Sequence, residues 1–310
     1  MTSPTISVCL LTYNHDNAVR GAIESILNQD FQDFELIISD DCSVDGTWEI
    51  VQRAAREDAR IKALRPSRNL GMAGNANFAV SHSNAPYVAI LHHDDLYASN
   101  LLCKWLGVMQ RHPDAGFVFS AFRSRDTELL TRYDLAECTN GREFLEHSLL
   151  HSWGSPVRGT AMVRRSAWDA VGGIREQFGM LADVDLWMRI AGSWAVGYVD
   201  EPLIYVRKYE RDDYPKSYSA RALTWQRANL MYAIHEANWH AFYGDEDLRG
   251  RLHQLLLRAR VSAHAGKWLG YALVRQRREM LESAAEGRNK IEFAPLGAIR
   301  MLLSRLYASP

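Results

Sequence analysis

What this 310-residue chain lacks narrows it first. It has four cysteines, Cys9, Cys42, Cys103 and Cys138, none in a CxxC pair. That excludes a disulfide framework or a zinc ribbon and reads as reduced thiols in a cytoplasmic protein. No stretch approaches the roughly 18 uninterrupted apolar residues of a spanning helix, so none is expected to cross a membrane. The opening MTSPTISVCLL has no basic leader ahead of a long apolar core, and no signal peptide is expected. The formal net charge is only −1, so no overall field favours nucleic acid. The turn after the first apolar run reads TYNHDN instead of GxGxxG, and GxxxxGK[ST] occurs nowhere. A Rossmann dinucleotide site and a phosphate-binding P-loop are both disfavoured.

What is present is an ordinary folding composition, 47% hydrophobic and 24% charged, with its charge unevenly spread. From Leu248 to Pro310 twelve Lys+Arg stand against four Asp+Glu, a local +8 that leaves −9 for the rest. An acidic body carries a basic tail. Along the body, strand-like runs at Ile6–Thr12, Phe34–Ser39, Ile61–Leu64 and Val88–Leu91 alternate with helical spacing over Ala18–Leu27, Thr47–Ala55 and Gly71–Ser81. Short polar turns join them, which predicts a doubly wound, mostly parallel α/β sheet. Ligands of such sheets sit beyond the carboxyl ends of the strands. Three ends should share one crevice: Thr12-Tyr13-Asn14, Asp40-Asp41, and His92 to Asp95.

The run YVAILHHDD, Tyr87 to Asp95, is the centre of that crevice. Asp94 and Asp95 are hard anionic oxygens suited to a divalent cation. Capping of a helix starting near Ser99 is the competing use of the same carboxylates. Beyond residue 95 the regularity fades: a helix over Ser99–Arg111, a strand over Gly116–Phe122 and a helix over Gly141–Leu150 are expected. Segments at Gly159–Val163, Trp168–Val171, Val184–Ala191 and Leu203–Val206 read as a smaller mixed part completing the crevice. From Tyr218 onward the pattern is helical.

DDCSVDGT from Asp40, RNLGMAGNAN, LHHDDLY, GTAMVRRSAWDAVGGI and LADVDLWMRIA follow one another in order. On these motifs the chain resembles a family 2 glycosyltransferase of GT-A fold over roughly Ile6 to Arg207. The resemblance implies an inverting transfer from a nucleotide diphosphate sugar to an acceptor hydroxyl, in cell-surface polysaccharide or glycolipid assembly. It implies a catalytic domain over 1–210, with a nucleotide half over 1–95 and an acceptor half over 96–210, followed by a helical region over 211–310. A sugar nucleotidyltransferase and a non-catalytic nucleotide-sugar scaffold are the alternatives. The resemblance also implies a Mn2+ or Mg2+ ion. The family writes Asp-x-Asp where this chain has His92, His93 and Asp94, so Asp94 is the direct metal ligand and His92 a neutral substitute for a carboxylate. His93 reads as a neighbour near the donor.

Elementary chemistry supplies matching roles. Tyr13 can stack on a base, while Asp40 or Asp41 can accept from an imide or ribose, with Thr12 and Asn14 beside them. Packing of Tyr13 at a strand end is the alternative. Asn69, Gly71 and Asn75 offer amide contacts and a close backbone approach, or simply start a helix. Asp45 reads mainly as a turn and cap. An inverting transfer needs one carboxylate to take the acceptor's proton. The family places it in a Glu-Asp pair, here Ala182-Asp183, which makes Asp183 the candidate base, with an N-cap of the helix over Val184–Ala191 the alternative. Asp185, two residues on, points away and reads as a supporting or capping group. Asp95, Trp153 and Trp187 are candidates on the acceptor side, with packing the alternative for the tryptophans.

The family often sets a histidine after Tyr-x-Arg; here Lys208 and Tyr209 follow Arg207, which makes Arg207 and Lys208 candidates for the diphosphate. QxxRW, a pattern of processive synthases, is missing, which favours single additions. Apolar positions beside arginines in the tail, as in IRMLLSRLY, suit either an anionic membrane surface or a homodimer contact. The expected location is the cytoplasm, with a peripheral place at the inner face of the membrane if the tail binds lipid. The acceptor is a glycan or a lipid-linked glycan.

Overall fold

The computed structural model describes residues 3–145, 148 and 155–207, together with Leu230, Ala233, Ile234, Ala237 and Asn238. Trp153, Lys208, Tyr209 and, apart from those last five residues, the helical region expected over 211–310 lie outside the described residues.

The first half is built from strands β1 (Ile6–Thr12), β2 (Phe34–Asp40), β3 (Ile61–Leu64) and β4 (Tyr87–His92), linked by helices α1 (Val19–Leu27), α2 (Thr47–Glu57) and α3 (Gly71–Ser81). These strands lie in the order β3-β2-β1-β4 and pair in parallel. Central β1 is buried along its whole length, as the unbroken apolar run requires of a strand covered on both faces. α1 turns Val19, Ala22, Ile23 and Ile26 to the sheet at helical spacing. α3 packs through Ala73, Gly74, Asn75, Ala76, Ala79 and Val80, mostly small side chains that allow close approach.

The second half continues the same sheet. After β5 (Leu96–Tyr97) and α4 (Leu101–Arg111) come β6 (Ala115–Ser124), β7 (Leu130–Thr131), β8 (Cys138–Thr139) and α5 (Gly141–Phe144). Then follow β9 (Ala161–Arg164), α6 (Arg165–Val171), a 3-10 turn over Glu176–Leu181, α7 (Ala182–Ala191) and β10 (Ala195–Val206). The sheet runs on as β4-β9-β6-β10-β5. β9 is antiparallel to both β4 and β6, which makes β6 parallel to β4, and β10 runs parallel to β6. One inserted antiparallel strand therefore brings α7 and the loop before β9 to the carboxyl end of β4. Ala161 pairs with Ile90, so Gly159 falls level with His92.

Candidate active site

The crevice beyond β1, β2 and β4 is held open by loops that bond to one another. Asn14 sits at φ 50, a left-handed conformation that asparagine tolerates. There its N–H donates to Ser43 Oγ and its side-chain Oδ1 accepts from Val44 N, both at 2.9 Å. Asp40 is fully buried; it accepts from Ser43 N and Oγ and faces Arg65 Nε at 3.5 Å. Asp41 accepts from Leu70 N at 2.6 Å, and Asn69 Nδ2 donates to its carbonyl at 3.0 Å. Burial raises both carboxyls, with the bonds from Ser43 and from Leu70 and Gly71 opposing. Any donor contact in this corner must be added to these internal bonds through the remaining lone pairs. Asp45 takes N–H bonds from Thr47 and Asp16, the expected turn.

Several candidates settle by position. Tyr13 is 40% exposed, open to a planar ligand. Thr12 is buried. Gly71 has φ 72 and nothing within 4 Å of where a Cβ would stand, so the backbone there is open to close approach. Two readings need correction. Asn75 is turned into the interior: its Oδ1 accepts from Ser39 Oγ at 2.6 Å and its Nδ2 donates to Ser39 O at 2.9 Å, clamping α3 to β2. Trp187 is fully buried with its ring 4.9 Å from that of Phe117, so it is core and no acceptor platform.

The end of β4 gathers the chemistry. Tyr97 Oη donates to His92 O at 2.7 Å and accepts from His92 N at 2.8 Å, fixing the backbone from which the histidines and carboxylates project. His93 is tied to β1 and the loop after it. Its Nδ1 lies 2.8 Å from Leu11 O, which can only accept, so Nδ1 carries the proton. In the neutral ring Nε2 then accepts from His15 Nδ1 at 2.6 Å. Burial, opposed by Asp94 and helped by His15, pulls His93 down to about 4, so it stays neutral. Burial likewise lowers His92, which leaves an imidazole able to ligate. For Asp94, burial alone would raise the carboxyl, but His93, His92, His15 and its own N–H outweigh it and hold the anion. Asp95 is pushed up to about 7 by burial and by Asp94, against the pull of Arg158, Arg207 N–H and Arg125.

One nitrogen of His92 and one oxygen each of Asp94 and Asp95 lie within 4.8 Å of one another. A neutral imidazole with two carboxylates fits a hard or borderline divalent cation, and the like-charge strain on Asp95 is what such an ion would relieve. A second set, His15, His93 and Asp94, is equally compact, but both ring nitrogens of His93 are already bonded within the protein.

Asp183 arrives from the first turn of α7. A Cβ at Gly159, φ +74, would stand 2.9 Å from His92 Cε1 and 3.3 Å from Asp183 Oδ2. The candidate base and the candidate metal-site histidine therefore face one small space that only glycine leaves clear. Behind them Asp185 is fully buried and accepts from Arg189 Nε at 2.8 Å and Asn238 Nδ2 at 2.7 Å, with Arg175 Nη1 at 3.5 Å. It anchors the helix, as a supporting group should. Sequence reasoning missed His15, Tyr97, Arg158, Gly159 and Asn238. For Gly159 the signal was available in its place within the quoted GTAMVRR motif; the others depend on contacts 5 to 82 residues apart.

Comparison with known proteins bears on this site. The family model described as Glycosyl transferase family 2 matches residues 7–172, more than half of the chain. The putative glycosyltransferase EpsE of Bacillus subtilis (strain 168) is 28% identical over 240 residues, 74% of this chain and 81% of its own. A GalNAc(5)-diNAcBac-PP-undecaprenol beta-1,3-glucosyltransferase of Campylobacter jejuni subsp. jejuni serotype O:2 is 39% identical over 100 residues, 32% of each chain. Among solved structures, S. aureus TarS 1-349 in complex with UDP-GlcNAc superposes with a TM-score of 0.65 at 18% identity, over 83% of this chain and 73% of that one. The Pyrobaculum calidifontis mannosyltransferase PcManGT, in complex with GDP-Man and Mn2+, gives 0.61 at 18% identity over 99% and 82%. Likeness at that identity carries the fold, which is GT-A. The chain belongs to glycosyl transferase family 2.

Proposed function

We propose that the chain transfers a sugar from a UDP- or dTDP-linked donor to a hydroxyl of a glycan or lipid-linked acceptor, with inversion, in cell-surface polysaccharide assembly. The observation that carries this reading is the convergence of His92 and Asp183 on the space at Gly159, beside Asp94. A relative whose name states an undecaprenol-linked acceptor, and a fold neighbour holding UDP-GlcNAc, support the substrate classes. Asp183 takes the proton of the acceptor hydroxyl as its oxygen attacks the anomeric carbon, and the nucleotide diphosphate leaves from the opposite face. His92, Asp94 and Asp95 would hold a Mn2+ or Mg2+ ion, which supplies positive charge for the leaving diphosphate. Tyr13 offers a face to the base, and Arg207, whose backbone N–H bonds Asp95, is the candidate cation for the diphosphate.

A positioned base contributes about 10²- to 10⁴-fold. Replacing Asp183 by Asn keeps size and hydrogen bonding but removes basicity. Transfer from the accepted donor should fall by at least about 100-fold in kcat, with nucleotide affinity within a factor of about two. Transfer unchanged in Asp183→Asn would remove the assignment of the base.

A further inference from the structure

At the edge of the sheet opposite the crevice, three side chains of different chemistry converge. His112 ends α4, Asp114 precedes β6, and Cys138 begins β8. One ligand atom from each lies within 4.8 Å of the other two. β6 runs parallel to β4, so the segment that enters β6 is at the amino end of the strands while Asp94 is at the carboxyl end. This cluster is separate from the proposed donor site.

We infer that His112, Asp114 and Cys138 form a binding site for a borderline transition-metal ion of the Zn2+ class, which ties α4 and the entry to β6 to the edge strand β8. A soft thiolate, a borderline imidazole and a hard carboxylate make a mixed donor set suited to Zn2+, and the thiolate makes it poorly suited to Mg2+ or Ca2+. The three backbones are already fixed. His112 O accepts from Ala115 N at 3.0 Å, Asp114 O from Ala195 N at 3.0 Å, and Cys138 pairs with Gly197 on β10. Tyr198 N bonds Glu137 O at 2.9 Å, which holds the residue before Cys138 as well.

Glu137 plays the outer part. His112 Nε2 meets Glu137 Oε1 at 3.0 Å, and Arg111 meets the same carboxylate at 2.9 Å. With Nε2 donating its proton there, the neutral ring presents the Nδ1 lone pair, the carboxylate-histidine arrangement that orients metal-bound imidazoles. The thiol of Cys138 is raised by burial and then by Asp114 and Glu137, so it is protonated without an ion. A divalent cation reverses that balance: it binds the thiolate and the thiol proton is released to solvent.

Co2+ is the probe, since it occupies such sites and its bond to sulfur gives a near-ultraviolet charge-transfer band. In the full chain, stripped of metal, the band should rise to one equivalent and be displaced by Zn2+. It should persist in Cys103→Ser and in Asp94→Ala. Cys138→Ser should abolish it, and His112→Gln should weaken Co2+ affinity by about tenfold or more. Both variants should melt with the metal-free wild type, because the site adds stability only when filled. A band that never appears, or one lost with Cys103 instead of Cys138, would overturn the site. So would Co2+ affinity unchanged in His112→Gln.

Discussion

At Gly159 a single hydrogen atom in place of a methyl group decides whether the site can exist. The residue sits at φ +74, where an L side chain costs about 1–2 kcal/mol, and a Cβ would press to 2.9 Å from the His92 ring. Neither partner can yield easily: the His92 backbone is held at both N and O by Tyr97, and Asp183 is fixed on α7. Gly159→Ala should therefore lower the melting temperature modestly while cutting transfer far more than that loss of folded protein explains. Parallel thermal melts and initial rates test it; a variant that melts lower with its rate intact would mean the space is not used by the reaction. Hydrogen bonding places His93 in a different class from its neighbour. Its two nitrogens serve Leu11 and His15, so it props the loop after β1 and leaves ligation to His92.

At the scale of an element, α7 shows why a helix start can hold a base steady. Nearly every residue of α7 is buried, yet it carries Asp185 and Arg189 one turn apart, both inside. Arg189 bonds onward to Val171 O and Gly173 O, and Asn238 reaches Asp185 from far along the chain. Removing one partner of a buried pair costs about 3–5 kcal/mol because the other charge is stranded. Asp185→Ala should lower the urea midpoint accordingly, and Asp185→Leu with Arg189→Met should recover much of it. A midpoint for Asp185→Ala equal to that of the wild type would show that the carbonyls of Val171 and Gly173, with solvent, already satisfy Arg189.

The elements differ in how plainly the sequence announces them. β3 and α3 have the expected limits, Ile61–Leu64 and Gly71–Ser81, because each is bounded by polar turns. The two-residue strands β5, β7 and β8 leave no period to detect, and β10 extends back to Ala195 beyond the apolar run at its end. Side-chain direction was the harder matter. Asn75 and Trp187 each left a ligand role open beside a structural one, and both point inward, which only the packing of their helices decides.

Across the whole molecule, the proposed reaction asks the crevice to accept a diphosphate that is dianionic in the donor and gains a further charge as it leaves, although the crevice floor is acidic. Asp40, Asp41, Asp94 and Asp95 all border it, and burial raises Asp40, Asp41 and Asp95. Adding a diphosphate to that floor without compensation would cost charge repulsion at low local dielectric. Two sources of positive charge are at hand: arginines, of which Arg158 and Arg125 already act on Asp95 through their charge, and a cation on His92, Asp94 and Asp95. The substitution of His92 for a carboxylate reduces the negative charge that draws the ion, so the two sources should share the load. Calorimetric titration of UDP, dTDP and GDP separates them. With Mn2+ present one nucleotide should bind, and EDTA or Asp94→Ala should weaken it by at least about tenfold, since even an outer-shell partner of a metal ligand is worth about 10- to 100-fold. A nucleotide that binds equally well in EDTA and in Asp94→Ala would place the whole burden on the arginines and remove the ion from the donor site.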